Sequence, residues 1–386
     1  MLLKNNFHHT ISTKVHELPE NWEDFAMNTV FLSRRYLKVL EDSAPENMQC
    51  FFISIFQNDI LVGIAIAQFL DGNKMQSFGD RDASIKTYTR NFTFKNFSSH
   101  VLFIGNNMLT GENGFSFSPT ISKSEGIKEL KTASETLELK LKKQGKKVHL
   151  TSFKDFTSKE IADFEEVDFS SFYRFQIQPN MIFDISEKWN SIDDYVSDLS
   201  KKYRDQYKRA RKKGSDIEKR KLTLPEIISS ENLIYDLYYH VAKNAPFNTF
   251  LLQKNHFASL KKNLDNDFLF YGYFLNGELI GFNTLIKNGA VMDTYFLGYD
   301  EKIQREKMLY LNMLYDMIGY SIKKKFDKII FGRTALEIKS SVGAQPQEMF
   351  GYIKHSNYLL QSQMHRVFNA LQPKIEWQKR NPFKED

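Results

Sequence analysis

FLFYGYFLNGELIGFNTLI, residues 268–286, reads as a strand, a two-residue turn at Asn276 and Gly277, and a second strand. Aromatic and β-branched residues fill both arms, and Asn-Gly tolerates the left-handed backbone that a tight hairpin turn demands. The same pattern stands earlier in the chain. CFFISIFQ from Cys50, then Asn58 and Asp59, then ILVGIAIAQF make another hairpin. Laid over the later one with an offset of 218, it aligns Ile55 with Tyr273, Phe56 with Phe274, Asn58 with Asn276, Leu61 with Leu279, Val62 with Ile280 and Gly63 with Gly281. A chance hairpin would match two or three of these. Six matches, with helix before and strand, helix and strand after in both copies, argue for a duplicated unit.

Around the first hairpin, Phe31, Leu32, Tyr36, Leu37 and Leu40 recur at helical spacing, and strands are expected near residues 74–78 and 101–104. Gly105, Gly111 and Gly114 mark a loop, read as a surface turn. A helix over 123–144 and a strand over 146–153 close the first copy. Around the second hairpin, helices are expected at 231–244 and 256–264, followed by a strand over 290–300, a helix over 308–325 and a strand over 328–332. A short helix with a stop at Gly343, a strand over 347–355 and a helix over 359–371 complete it. Between the copies, residues 175–185 read as a crossover strand. The expected organisation is therefore 1–175, a connecting stretch 176–221, and 222–386.

That connector holds the strongest charge signal. Ser191 with Asp194 forms a capping-box start and Gly214 a stop, so 191–214 is expected as one helix with Ile192, Tyr195, Val196, Leu199, Tyr203, Tyr207 and Ala210 on its apolar face. From Lys201 to Lys221 there are eleven Lys or Arg against three acids, an excess of eight that exceeds the +6 of the whole chain. Such a run can be a solvated face that suits the helix dipole. It can also be an anion site along Arg204, Lys208, Arg209 and Lys212.

Composition narrows the class. At 386 residues the chain exceeds what one core usually supports, and 34 Phe provide for two aromatic-rich cores. A single cysteine, Cys50, excludes an internal disulfide and a thiolate metal cluster, and its apolar surroundings suit a buried hydrophobe. The amino-terminal stretch lacks the apolar core of a signal peptide, and the longest apolar run, 60–70, is too short to span a bilayer. A cytoplasmic protein without a transmembrane segment is expected. The pI near 8.9 leaves room for acidic polymers or an anionic membrane surface, where Trp377 and Phe383 of the polar tail could touch.

The order helix, hairpin with N-G-E-L-I-G at its turn, strand, long helix, strand resembles the GNAT acyltransferase fold. Two such units around K-Y-R-x-x-x-K-R-A-R-K-K-G, with G-R-T-A-L-E-I-K-S-S-V-G-A from Gly332 to Ala344 and F-L-S-R-R-Y-L near the start, resemble the FemABX-like, peptidoglycan-biosynthesis type. The resemblance covers nearly all of the chain from Phe31. It implies a mixed α/β fold with mostly antiparallel sheets, two tandem GNAT-like domains joined by the basic helix. It also implies a transferase that moves an acyl or aminoacyl group from acyl-CoA or aminoacyl-tRNA to the amine of a small molecule, peptide or lipid.

Within that frame Lys339 is expected as a cation beside the reacting carbonyl, and Asp293 and Tyr295 as further catalytic groups on one strand face. Arg333, Tyr299, Tyr203, Arg204, Lys208 and Arg209 are expected to hold donor or substrate. Glu337, two residues from Lys339, falls on another side of its helix. The pyrophosphate loop that GNAT proteins use for coenzyme A reads Gln304-Arg305-Glu306-Lys307 here, without glycine, which sets the chain apart from ordinary CoA binders. His240 and His256 are isolated, no H-x-x-H spacing occurs, and no catalytic metal is expected. The competing readings are an RNA-binding protein that stacks bases on Tyr203 and Tyr207, and a non-catalytic GNAT scaffold.

Overall fold

The structure, a computed structural model, describes residues 6–74, 98–244, 248–366 and 377–384. Two compact units emerge: Met1–Gln178 with Thr249–Gln253 and Glu348–Lys374, and Pro179–Asn248 with Lys254–Gln347 and Ile375–Asp386.

The first unit contains β1 (Phe7–Ser12), β2 (Met48–Gln57), β3 (Ile60–Asp71), β4 (His100–Ile104), β5 (Phe115–Phe117) and β6 (Leu150–Phe156). β1 to β4 and then β6 lie side by side, with β5 against β3. Neighbours are antiparallel except β4 and β6, which run parallel from Val101 opposite Leu150 to Ile104 opposite Phe153. A parallel pair needs a crossover, and α3 makes it. The helices are α1 (Trp22–Ala26), α2 (Arg34–Ser43), α3 (Lys123–Lys143) and α4 (Ser158–Glu165). α3 starts on a capping box of Ser122 and Glu125, and its Leu130, Leu137 and Leu141 bury against Phe51, Ile53 and Val62 of the sheet. Cys50 is buried beside Gln68, and burial pushes its thiol up to about 12, so it behaves as a small hydrophobe.

Several expectations shift. β1, β5, α1 and α4 carry little periodic signal and were not anticipated. The helix near residue 31 begins only at Arg34, because Ser33 is extended and caps it through Tyr36 N. The loop of Gly105, Gly111 and Gly114 is no mere surface turn. Gly105 N donates to Ile66 O and Ile66 N to Gly114 O, and a Cβ on Gly114 would stand 2.4 Å from Gly105 Cα. Glycine is required there for close backbone crossing. The strand expected at 74–78 lies, from residue 75 on, outside the described residues, as does the end of the helix expected at 359–371.

β7 (Tyr173–Asp184) starts in the first unit, and from Pro179 it belongs to the second. The second unit adds β8 (Glu218–Lys221), β9 (Phe268–Leu275), β10 (Glu278–Asn288), β11 (Val291–Tyr299) and β12 (Lys328–Gly332), ordered β7, β12, β11, β10, β9, β8. Again one pair is parallel, β11 with β12. α5 (Ile192–Asp198), α6 (Lys201–Lys213) and α11 (Leu309–Lys323) share one core, packed on the sheet through Leu285, Met292 and Ile329. α7 (Leu224–Ser229), α8 (Glu231–Asn244) and α9 (His256–Leu264) come between β8 and β9. Phe257 of α9 meets Phe270 and Phe282 on the opposite sheet face. α10 (Glu301–Lys307) and α12 (Leu336–Ser340) are short. β13 (Gln345–His355) leaves the second unit and completes the first, antiparallel to β6 from Phe350 opposite Phe156 to His355 opposite Leu150. α13 (Tyr358–Gln361) follows.

The duplication is visible in the hydrogen-bond register itself. Ile55 faces Gly63 and Phe56 faces Leu61 across the first hairpin; Tyr273 faces Gly281 and Phe274 faces Leu279 across the second. Both hairpins thus carry a one-residue bulge at equivalent places, Val62 and Ile280. Both turns are left-handed, Asn58 and Asp59 at φ 50 and 63, Asn276 and Gly277 at φ 53 and 83.

The helix expected over 191–214 is two helices. Leu199 is extended (φ −66, ψ 143), Ser200 caps the second helix, and Ser200 N donates to Pro382 O at 2.8 Å. The basic part lies wholly in the second unit. The helix expected over 308–325 is found as the single helix α11, which Met308 in the left-handed region (φ 51) separates from α10.

Two glycines test this packing. A Cβ on Gly298 would stand 2.5 Å from Leu237 C and Tyr238 N, whereas one on Gly319 meets Ile192 atoms at ordinary distances from 3.5 Å. Gly298→Ala is expected to destabilise by about 1–3 kcal/mol, and Gly319→Ala to stabilise by about 1 kcal/mol as a helix-interior replacement. Urea unfolding measures both.

Candidate functional site

β11 and β12 pair from Val291 opposite Lys328 to Asp293 opposite Ile330, and there the ladder ends while β11 runs on to Tyr299. Just beyond this point β11 carries a bulge. The β10 ladder steps from Leu285 opposite Thr294 to Asn283 opposite Leu297, so Tyr295 and Phe296 together face Thr284. The gap beyond the carboxyl ends of parallel strands is where open α/β sheets hold ligands.

Just past β12, Gly332 (φ 76) and Ala335 (φ 52) turn the chain into α12. α12 returns Lys339 under the end of β12, where Nζ donates to Phe331 O at 2.5 Å and Gly332 O at 3.4 Å. The residue is 4% exposed, and burial, offset by no charged neighbour, lowers its ammonium from 10.5 to about 7. Burial also lowers the neighbouring Arg333, to about 10. Glu337 points elsewhere and pairs with Arg380, whose backbone N–H donates to Ser340 Oγ.

α6 adjoins this turn. Gln206 Nε2 donates to Ser341 Oγ at 3.3 Å and to the Tyr315 hydroxyl at 3.2 Å, and the Tyr195 hydroxyl donates to Val342 O at 2.9 Å. Structure thus brings Lys339, Arg333 and the basic helix to one end of the sheet. The helix residues divide by role. Tyr203 is in the core, and Arg204 caps α5 by donating to Leu199 O at 2.6 Å. Lys208 and Arg209 are exposed, as is Lys212. Tyr207 packs edge-on against Tyr315 with the Arg211 guanidinium over its ring, so neither Tyr203 nor Tyr207 presents a face for stacking bases. Tyr299 is half-buried near Tyr310 at the end of β11.

Asp293 and Tyr295 are not part of this grouping. They alternate with Met292, which is in the core under α11, and so lie on the other sheet face. There the Tyr295 hydroxyl lies 3.0 Å from His256 Nε2 on α9. Burial pushes the Asp293 carboxyl up to about 7, partly offset by a hydrogen bond with Asn288.

What sequence reading missed is Asp316, the lone acid in LYLNMLYDMIGYSIK. Its carboxylate accepts from Arg211 at 2.8 Å and from the buried Tyr273 hydroxyl at 3.0 Å, with Lys219 at 3.7 Å. An isolated carboxylate inside an apolar helix was the available signal.

The amino end of α11, the GNAT pyrophosphate place, is filled by protein. Asn312 Nδ2 donates to Ala210 O at 2.8 Å, and a Cβ on Gly214 would come 2.8 Å from that same Nδ2. Lys307 pairs with Asp216 at 2.6 Å.

Compared with solved structures, the chain is similar to FemX, with a TM-score of 0.57 over 94% of this chain and 99% of that one at 10% identity. The chain has the FemABX-like tandem GNAT fold. A conserved protein of unknown function from Bacteroides thetaiotaomicron VPI-5482 matches this FemX-like chain with a TM-score of 0.50 and 12% identity, over 89% of this chain and 99% of that one. A tandem GNAT protein from the clavulanic acid biosynthesis pathway gives 0.49 and 8%, over 91% and 99%. No protein-family model matches the sequence, nor does any curated protein. Among the described residues of this FemX-like chain no helix is long and apolar enough to cross a membrane. Trp377 and Phe383 pack against the core of the second unit.

Asp316→Asn is expected to destabilise by about 2–4 kcal/mol, since it leaves a part-buried guanidinium without its anion. Adding Arg211→Met should recover part of the loss. A double-mutant cycle in denaturant reads the coupling.

Proposed function

We propose that this protein transfers an aminoacyl or acyl group from an activated ester to an amine, with Lys339 as the cation at the reacting carbonyl. One observation carries the reading: a buried ammonium, held by two neutral carbonyls and no carboxylate, at the open end of the parallel strand pair in a FemX-like fold. When an amine attacks an ester carbonyl, negative charge gathers on the carbonyl oxygen, and a desolvated fixed cation lowers that barrier most. The leaving alkoxide takes a proton and the amide forms. Arg333 is assigned to the donor's phosphate, and Lys208 and Arg209 to its polyanionic body.

The filled helix end at Asn312 favours aminoacyl-tRNA over acyl-CoA as donor. The acceptor class is an amine on a peptide, lipid or small molecule. The protein acts in the compartment that holds charged tRNA, the cytoplasm. Asp293 and Tyr295 have no contact role here, because of the face they occupy.

The test supplies bulk tRNA charged with labelled amino acids, and separately labelled acetyl-CoA, together with a panel of amino sugars, lysine-bearing peptides and aminophospholipid. Label is expected in an alkali-stable amide from charged tRNA. Transfer from acetyl-CoA alone would overturn the donor assignment, and transfer from neither would overturn the activity. Lys339→Met is expected to lower turnover about 100-fold or more, with KM changed far less.

Lys339 also marks the pH dependence of stability. Its folded-state value, about 7, is below the ordinary 10.5, so between these pH values the unfolded chain binds the extra proton. Stability from this group therefore rises as pH rises through that window. Lys339→Met should flatten the rise in urea midpoint between pH 7 and 10.

A further inference from the structure

The second unit holds a cationic cavity, at the far end of β12 from Lys339. Its volume is about 520 Å³, and Lys221, Lys287 and Lys324 line it with Tyr271, Tyr320 and Phe326. Phe326 stands just before β12 begins, whereas Lys339 sits under the end of that strand. The two places are separated by the length of β12.

No carboxylate lines the cavity. Lys324 closes α11, where a cation suits the helix dipole, so that residue has a structural account. Lys221 and Lys287 do not share it. They project from two strands, β8 and β10, with Lys221 paired directly opposite Tyr271. Lys261 stands close by. Burial lowers its ammonium, and Lys221 and Lys287 lower it further, an unrelieved repulsion that Asp265 only partly offsets. The aromatic wall is well defined: Tyr271 and Tyr320 meet edge to face at 6.0 Å, and Lys219 over Tyr271 at 4.4 Å is itself anchored near Asp316.

Ammonium groups lining one cavity with partly exposed aromatic side chains match a ligand with phosphate at one end and a planar ring at the other, and the volume suits a single nucleotide. We propose that this cavity binds a nucleoside phosphate, either free or as the terminal nucleotide of an RNA chain, at a site separate from the one that holds Lys339. The assignment does not depend on the transferase reading.

Calorimetric titration of the full chain at low salt tests it, with adenosine 5′-monophosphate, a 5′-phosphorylated hexa-adenylate RNA and inorganic phosphate as probes. The mononucleotide or the RNA is expected to bind, and Lys221→Gln with Lys287→Gln to weaken it at least tenfold without moving the melting temperature. Tighter binding of the RNA assigns the source as a chain end, and equal binding assigns a free nucleotide. The proposal is overturned if neither nucleotide probe binds, if inorganic phosphate binds as tightly as both, or if the double variant binds undiminished.

Discussion

The second unit is organised around one part-buried carboxylate. Asp316 sits in a helix whose neighbours are almost all apolar, where a polar group needs hydrogen-bonding partners. Arg211 partners it from α6, Lys219 from β8, and the Tyr273 hydroxyl from β9, with Asn283 donating in turn to that hydroxyl at 3.2 Å. Three elements distant in sequence are thereby fixed against α11. The position of α6 follows, and with it the contacts from Gln206 to Ser341 that hold the turn after Lys339.

This explains why a charge run so conspicuous in the sequence is in part architecture. Arg204 closes the end of α5, Arg211 and Lys219 neutralise Asp316, and Arg220 pairs with Glu226. Lys201, Lys202, Lys208, Arg209, Lys212, Lys213 and Lys221 are the exposed cations outside these contacts, fewer than the raw count suggests. Sequence counts charge but not partners. An acid a hundred residues away decides which cations face solvent.

The hairpins were legible because their turns need left-handed backbone, which Asn and Gly announce, and because the repeat could be checked residue against residue. The face assigned to the connector helix was also legible, since Tyr195, Leu199, Tyr203 and Ala210 are all buried. Its break was not. Leu199 keeps the helical spacing of apolar residues, and only the tail, through Pro382 O and Phe383, shows why the chain resets there. The strands β7 and β13 were read as strands, but alternation does not say which sheet a strand completes. The candidate site was legible in part. Lys339 stood out as a cation after a strand, while Asp293 and Tyr295 shared a face that sequence could not distinguish from its opposite.

The setting of Lys339 bears on what it can do. A lysine paired with a carboxylate would present little net field to a developing oxyanion, because the partner cancels it. Neutral carbonyls behave differently: Phe331 O and Gly332 O orient the ammonium without neutralising it. Burial makes the charged form costly in the resting protein, which lowers the ammonium to about 7. Negative charge arriving within reach of Nζ would reverse that balance and hold the proton in place. In the proposed reaction the stabilisation would therefore grow as the carbonyl becomes an oxyanion, which is the condition for accelerating a reaction rather than merely binding its substrate.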